Sequence, residues 1–257
     1  MFEFLFYQDT LVSYLMVAVR VSAILFAVPF FGSTVIKPHI RFVLALLIAF
    51  LVFPGVEVMP YSNLPTGILI TLMLKEILVG VCIGIMSHFL FVGAQMGGQI
   101  AGIQMGFGMV NIMDPQTHTN LSIIASFLNI GMLLIFITIG GHFLVLGAIS
   151  ESFRFIPLGG GDISPLAFEY IVKLFTFVFL TAFKIMAPVL VTLLWFSTVM
   201  GIMGKLAPQI NLMMVGFPAK ITVGLFVLAL SMDYFLIVFE KIMHRYFEEV
   251  ANIIRMF

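Results

Sequence analysis

Residues 11–31, 68–92, 121–149, 171–200 and 221–239 are apolar runs of about 20 residues or more, the length a helix needs to cross a hydrocarbon core. They commit the chain to an all-α, membrane-type fold of about six long apolar helices, some broken or re-entrant. The sixth is residues 42–53, a run too short for an ordinary lipid span and closer to a re-entrant or protein-buried helix. Only 9% of the 257 residues are charged and the mean hydropathy is +1.20, where soluble domains carry about a quarter of charged residues. The formal net charge of +0 argues against nucleic acid as a partner and leaves membrane lipid as the expected surroundings.

The interruptions between these runs are as informative as the runs. Arg20 breaks the first, and Pro29 and Gly32 close it; Lys37, Pro38, His39 and Arg41 form a polar link. Pro54, Gly55, Pro60, Asn63 and Pro65 make a turn-rich connection. Gly159, Gly160, Gly161 and Asp162 lie in the clearest loop, residues 151–165, and residues 201–220 read as a linker. The tail, residues 240–257, spaces Ile242, Met243, Tyr246, Phe247, Val250 and Ile253 as an amphipathic helix that would lie on a membrane or against a partner. The start of the chain lacks the positive region and small-residue cleavage site of a signal peptide, so insertion by an internal first helix is expected. Lys37, Arg41, Lys205 and Lys220 would face the cytoplasm; the tail's Lys241, Arg245 and Arg255 then conflict with a count of six spans. No repeat or separate soluble domain is visible, and residues 1–257 are read as one domain.

Residues 93–120 are too glycine-rich for an ordinary spanning helix and too apolar for a solvated loop. Ala94, Gly98, Gly102 and Gly106 recur at every fourth position, a face stripped of side chains that lets another backbone come close. Gly80 and Gly84, between Glu76 and His88 on one face, suggest a second tight helix contact. Beyond them, Gly108, Asn111 and the Asp114–Pro115 step favour a turn or break. Met105, Met109 and Met113 are flexible, polarizable fillers of an irregular space. The segment reads as a deformable apolar element placed where something must be sealed and then opened.

Arg20, Lys75, Glu76, Lys184 and Asp233 are the ionisable groups at membrane depth. They fit either an ion relay or neutralising pairs between helices, such as Arg20 with Glu76 or Lys184 with Asp233; isolated charges favour pairing. His88, His118 and His142 lack metal-ligand spacing, and no phosphate loop or nucleophile–base arrangement accompanies the glycines, so neither cofactor, metal nor catalytic residue is expected. Cys82, the one cysteine, excludes a disulfide within the chain and reads as inert packing.

Several stretches together resemble one family: Arg20-Val-Ser22 with Pro29-Phe-Phe-Gly32, Lys75-Glu76 with Gly80 and Gly84, Gln104-Met-Gly106 leading to Asp114-Pro115, Gly141-His142, and Ala207-Pro208-Gln209 with Gly216-Phe-Pro218. In order and spacing they resemble, over essentially the whole chain, the FliR family of flagellar type III export-gate proteins. The resemblance implies a subunit of the bacterial inner membrane and flagellar basal body, packed with FliP and FliQ in a hetero-oligomeric helical cone. FlhB would associate on the cytoplasmic side, and unfolded flagellar proteins would be the cargo. It implies that Gly106, Phe107, Gly108, Met109, Val110, Asn111, Ile112, Met113, Asp114 and Pro115 form a channel plug. The linker with Lys205, Pro208, Gln209, Pro218 and Lys220 would face the cytoplasmic entrance. The equivalent subunit of a virulence injectisome is similar but fits the linker less well. A secondary transporter for a small solute, with Glu76, Lys184 and Asp233 as coupling groups, is the reading from another class, and the paired halves it calls for are not visible.

Overall fold

A computed structural model describes residues 8–32, 36–60, 64–107, 122–160, 165–209 and 212–254. The described secondary structure is helical. Its elements are α1 (Gln8–Ala27), a short α2 (Pro29–Gly32), α3 (Pro38–Val52), α4 (Thr66–Met105), α5 (Ile123–Thr138), α6 (Gly141–Phe155), α7 (Pro165–Leu206), α8 (Leu212–Leu230) and α9 (Met232–Ile254). Four helices are long and apolar enough to cross a membrane, or up to six if each bent pair is one span. The protein is therefore a helical chain of the multi-pass membrane type.

Local sequence sets most of the helix ends. Pro38 stands in the first turn of α3, where its missing N–H costs nothing. At the other end the Phe53–Gly55 turn, with Pro54 inside it, stops the helix. The run 42–53 thus belongs to a longer span, Pro38–Gly55, 18 residues in all, because the polar link before it is itself helical. The expected single span at residues 121–149 is instead broken in two: Gly140 takes a φ of 77°, a left-handed conformation that ends α5 and starts α6. The sixth run is likewise interrupted, bending by 59° between Leu230 and Met232. The stretch 201–220 is mostly helix, since α7 runs on to Leu206 and α8 begins at Leu212; only a short turn at residues 207–209 separates them among the described residues.

Two helices exceed the requirements of a bilayer. α4 has 40 residues and α7 has 42, about 60 Å each at 1.5 Å per residue, against a hydrocarbon core of about 30 Å. α7 survives Pro188 in its middle. A proline leaves the carbonyl four residues earlier without its helical donor, and here the Tyr234 hydroxyl donates to that oxygen, Lys184 O, at 3.1 Å.

The chain divides into two compact units. The first comprises residues 1–89, 140–174 and 245–257, the second residues 90–139 and 175–244. The first unit is built on α1, whose Met16, Val17, Val21, Ile24 and Leu25 are wholly buried. The C-terminal part of α9 adds Tyr246, Phe247, Val250 and Ile254, and Tyr246 donates its hydroxyl to the Met86 carbonyl. The apolar face of the predicted amphipathic tail is thus covered within the protein, while Glu240, Lys241, His244, Arg245 and Glu248 remain exposed. The second unit buries Ala94, Ala101 and Met105 of α4 with Leu128, Met132 and Phe136 of α5 and Val189 and Leu193 of α7.

Candidate functional site

In the second unit, the C-terminal half of α4 carries glycines on two sides. A Cβ added at Gly93 would lie 3.0 Å from the Thr181 side chain, and one at Gly97 would lie 2.7 Å from the Ala182 carbonyl, so this side lies directly on the backbone of α7. A Cβ at Gly98 would lie 2.7 Å from Ala125 Cα, and one at Gly102 would run into the Ser122 side chain, so the other side lies on the start of α5. Ser122 is the hinge pin of that contact. Its hydroxyl accepts from Ala125 N–H at 3.1 Å, capping α5, and donates to the Gly98 carbonyl at 3.3 Å, while its N–H donates to Gln99 Oε1 at 2.7 Å. The stripe Ala94, Gly98 and Gly102, spaced by four, accounts for one side. The Gly93–Gly97 side was missed in the sequence, although its own spacing of four was there to read.

Gly106 does not extend the stripe; it ends the helix. Its φ is 102°, its N–H bonds to Ile103 O at 3.0 Å, and Phe107 N–H reaches back to Gly102 O at 2.9 Å. This paired closure, with glycine in the left-handed position, satisfies carbonyls that a helix end otherwise leaves open. Beside it, a Cβ on Gly106 would meet Phe217 Cδ1 at 2.8 Å, and one on Gly224 would meet the Met105 side chain at 2.7 Å. Phe217 and Gly224 are seven apart and share one face of α8. The end of α4 therefore rests on the Gly216-Phe-Pro218 stretch. Gln104 Oε1, just before the cap, is buried with no hydrogen-bond partner among the described residues. Gly108, Met109, Val110, Asn111, Ile112, Met113, Asp114 and Pro115 lie outside the described residues.

The first unit holds the buried charges. Arg20 and Glu76 have wholly buried side chains and meet at 2.5 Å (Nε to Oε2) and 3.1 Å (Nη2 to Oε1). The remaining Arg20 donors go to the end of α6 and the turn after it: Nη1 to the Ser152 and Ile156 carbonyls at 3.1 and 2.9 Å, Nη2 to the Pro157 carbonyl at 3.4 Å. The Phe153 ring covers the guanidinium at 4.4 Å, and Gly159 N–H donates to Glu76 Oε1 at 2.7 Å. One ion pair thus ties α1, α4 and α6 together and caps the last. Next to it, a Cβ on Gly80 would lie 2.7 Å from both Ala23 Cβ and the Arg20 carbonyl, and Gly84 lies against Ala27. Lys75 is half-buried, whereas Lys184 and Asp233 are exposed and form no ion pair with each other among the described residues. Asp233 instead occupies the first turn of α9, where the helix dipole favours an acid. Of the linker residues, Lys205, Pro208, Gln209 and Pro218 are exposed and Lys220 is half-buried.

Among the described residues, no group of three or more His, Cys, Asp or Glu could hold a metal ion. What the arrangement offers is mechanical. A capped, close-packed helix end precedes a glycine- and methionine-rich segment, and a rigid charged knot holds the other unit.

Comparison with known proteins bears on this architecture as a whole. The model of the family described as bacterial export proteins, family 1, matches residues 11–246. The chain is 27% identical over 237 residues to the flagellar biosynthetic protein FliR of Escherichia coli, covering 91% of this chain and 90% of the relative. It is 29% identical over 249 residues to the protein of that name in Bacillus subtilis, covering 96% of each. It is 30% identical over 220 residues to that of Buchnera aphidicola subsp. Acyrthosiphon pisum, covering 85% of this chain and 83% of the relative.

Proposed function

The chain belongs to the bacterial export proteins, family 1, and we propose that it is a structural and gating subunit of the flagellar type III protein export gate in the bacterial inner membrane. In this reading the whole chain, residues 1–257, is one export-gate domain. It packs with FliP and FliQ, meets FlhB on the cytoplasmic side, and helps form and plug the channel for unfolded flagellar proteins.

The observation that carries the reading is the seat of α4. Its last turn is locked by Gly106, supported by Phe217 and pressed against Gly224 through Met105. A plug formed by residues 106–115 would therefore start from a fixed anchor. Phe217 lies between Lys205 and Lys220, in the segment proposed to face the cytoplasmic entrance, so a substrate arriving there would bear on the plug's anchor directly. The length of α4 and α7, about twice a hydrocarbon core, supports helices whose apolar sides are covered by neighbouring subunits over part of their course. Leu194, Trp195, Leu206 and Met214 are all more than 60% exposed in the isolated chain and supply such sides. Phe107, Met109, Val110, Ile112 and Met113 can exclude water from a narrow passage, as hydrophobic constrictions do when they gate by dewetting.

The test is conductance. Deleting residues 106–115 from the assembled complex raises ion leakage through it. A shorter deletion, 108–115, which keeps the helix cap, does the same. A complex recovered in normal yield with unchanged conductance refutes the plug.

A further inference from the structure

In the second unit, the end of α7 and the start of α8 are two legs joined across the turn at residues 207–209, and the legs break at matching positions. Pro188 lies 18 positions before the end of α7 at Leu206, and the break after Leu230 lies 18 positions past the start of α8 at Leu212. Each leg is therefore about 27 Å long at 1.5 Å per residue. The legs touch near the turn, where a Cβ on Gly216 would lie 3.2 Å from Met200 Cε.

The two flanks of Pro188 are held differently. Before it, Thr181, Ala182, Ile185 and Met186 are buried, with Thr181 and Ala182 directly against Gly93 and Gly97 of α4. Past it, burial stops at Leu193, and no residue from 194 to 206 is buried. The described residues of α8 bury only Gly216, Gly224 and Leu228. A helix bends sharply, by about 20° or more, at a proline. A swing of about 20° at the base would carry the turn end of a 27 Å leg through roughly 9 Å.

One hydrogen bond joins the bases of both legs. Tyr234 stands in the first turn of α9, just past the 59° bend between α8 and α9. Its hydroxyl donates at 3.1 Å to Lys184 O, the carbonyl that Pro188 leaves without a helical donor. Each partner lies within about a turn of a break, so a swing about Pro188 and Ser231 moves the hydroxyl against the carbonyl. In apolar surroundings no water replaces that donor, and the bond therefore favours the hairpin position seen.

We propose that the Tyr234–Lys184 bond latches a hinged α7–α8 hairpin, and that its release swings Phe217 and Gly224 away from Gly106 and Met105 at the end of α4. The hinge is one of paired breaks in otherwise regular helices. It goes beyond the export reading and does not depend on it, since its test reads geometry and not transport.

Spin labels at Ser126 on α5 and Lys205 on α7, both exposed, report the position of the hairpin in the purified complex, with Cys82→Ser as background. With Tyr234 present the distance distribution is narrow, and Tyr234→Phe broadens or shifts it by several ångströms. Pro188→Ala restores a helical N–H for Lys184 O, so Tyr234→Phe added to it leaves the distribution narrow. Hydrogen exchange in residues 184–192 becomes roughly threefold to tenfold faster in Tyr234→Phe, as expected for one lost hydrogen bond, while exchange in α5 is unchanged. The proposal is overturned if Tyr234→Phe keeps the original distribution or if Pro188→Ala fails to suppress its effect. Exchange that rises equally in α5 overturns it too, because the hydroxyl would then be a general prop and not a latch.

Discussion

Replacing Glu76 by methionine removes the counter-charge of Arg20 while leaving the guanidinium buried beneath Phe153 and hydrogen-bonded to the Ser152, Ile156 and Pro157 carbonyls. Breaking one side of a buried pair costs about 3–5 kcal/mol, most of it from stranding the charge left behind. Arg20→Met does comparable harm: it strands the Glu76 carboxylate with Gly159 N–H alone and uncaps α6. In the double variant no charge is stranded. What is lost is the cap on α6 and the bond to Gly159, roughly 1–3 kcal/mol for each buried group left unsatisfied. The double variant should therefore cost about as much as either single one, a coupling of about 3 kcal/mol. Cys82, the one cysteine, is half-buried on the same helix as Glu76 and reports opening of this unit. Each single variant raises the rate of Cys82 modification by a thiol-reactive dye in the purified complex, measured on this chain's own band. A coupling of 3 kcal/mol makes the double variant about a hundredfold slower than the product of the single effects. If the double variant equals that product, the pair is not the joint between α1, α4 and α6.

In the second unit, the melting temperature of the purified complex separates two glycines of similar appearance. Gly98→Ala places a Cβ 2.7 Å from Ala125 Cα and costs about 1–3 kcal/mol as overpacking. Gly131→Ala, with nothing within 4 Å of the added Cβ, gains up to about 1 kcal/mol of helix propensity; the reverse order would discredit the packing of α4 on α5. Tyr246→Phe deletes the buried bond to the Met86 carbonyl and lowers the melting temperature of the complex by an amount equivalent to about 0.5–1.5 kcal/mol. No shift in that variant would mean that the tail is held by apolar packing alone.

Hydropathy and glycine spacing, both properties of neighbouring residues, were enough to identify an all-helical membrane-type chain. They marked Arg20 and Glu76 as charges that burial would make costly, and Gly80, Gly98 and Gly102 as places without side chains. Where the runs break was less accessible. The interruption at Gly140 needs a positive φ that an apolar window average cannot register. The unbroken passage of α7 through Pro188 needs Tyr234, from 46 positions further on, to take up the carbonyl the proline releases. The apolar side of the tail was plain from its spacing, but what covers it was not. Pairing is the clearest case. Arg20 and Lys184 read alike as cations inside apolar runs, yet one is wholly buried against a carboxylate while the other is exposed. The composition of a helix determines that it must hide certain faces and neutralise certain charges. Which face meets which is decided by contacts between residues far apart in the chain, because the energy of a glycine gap or a buried charge depends on the atoms brought up to it.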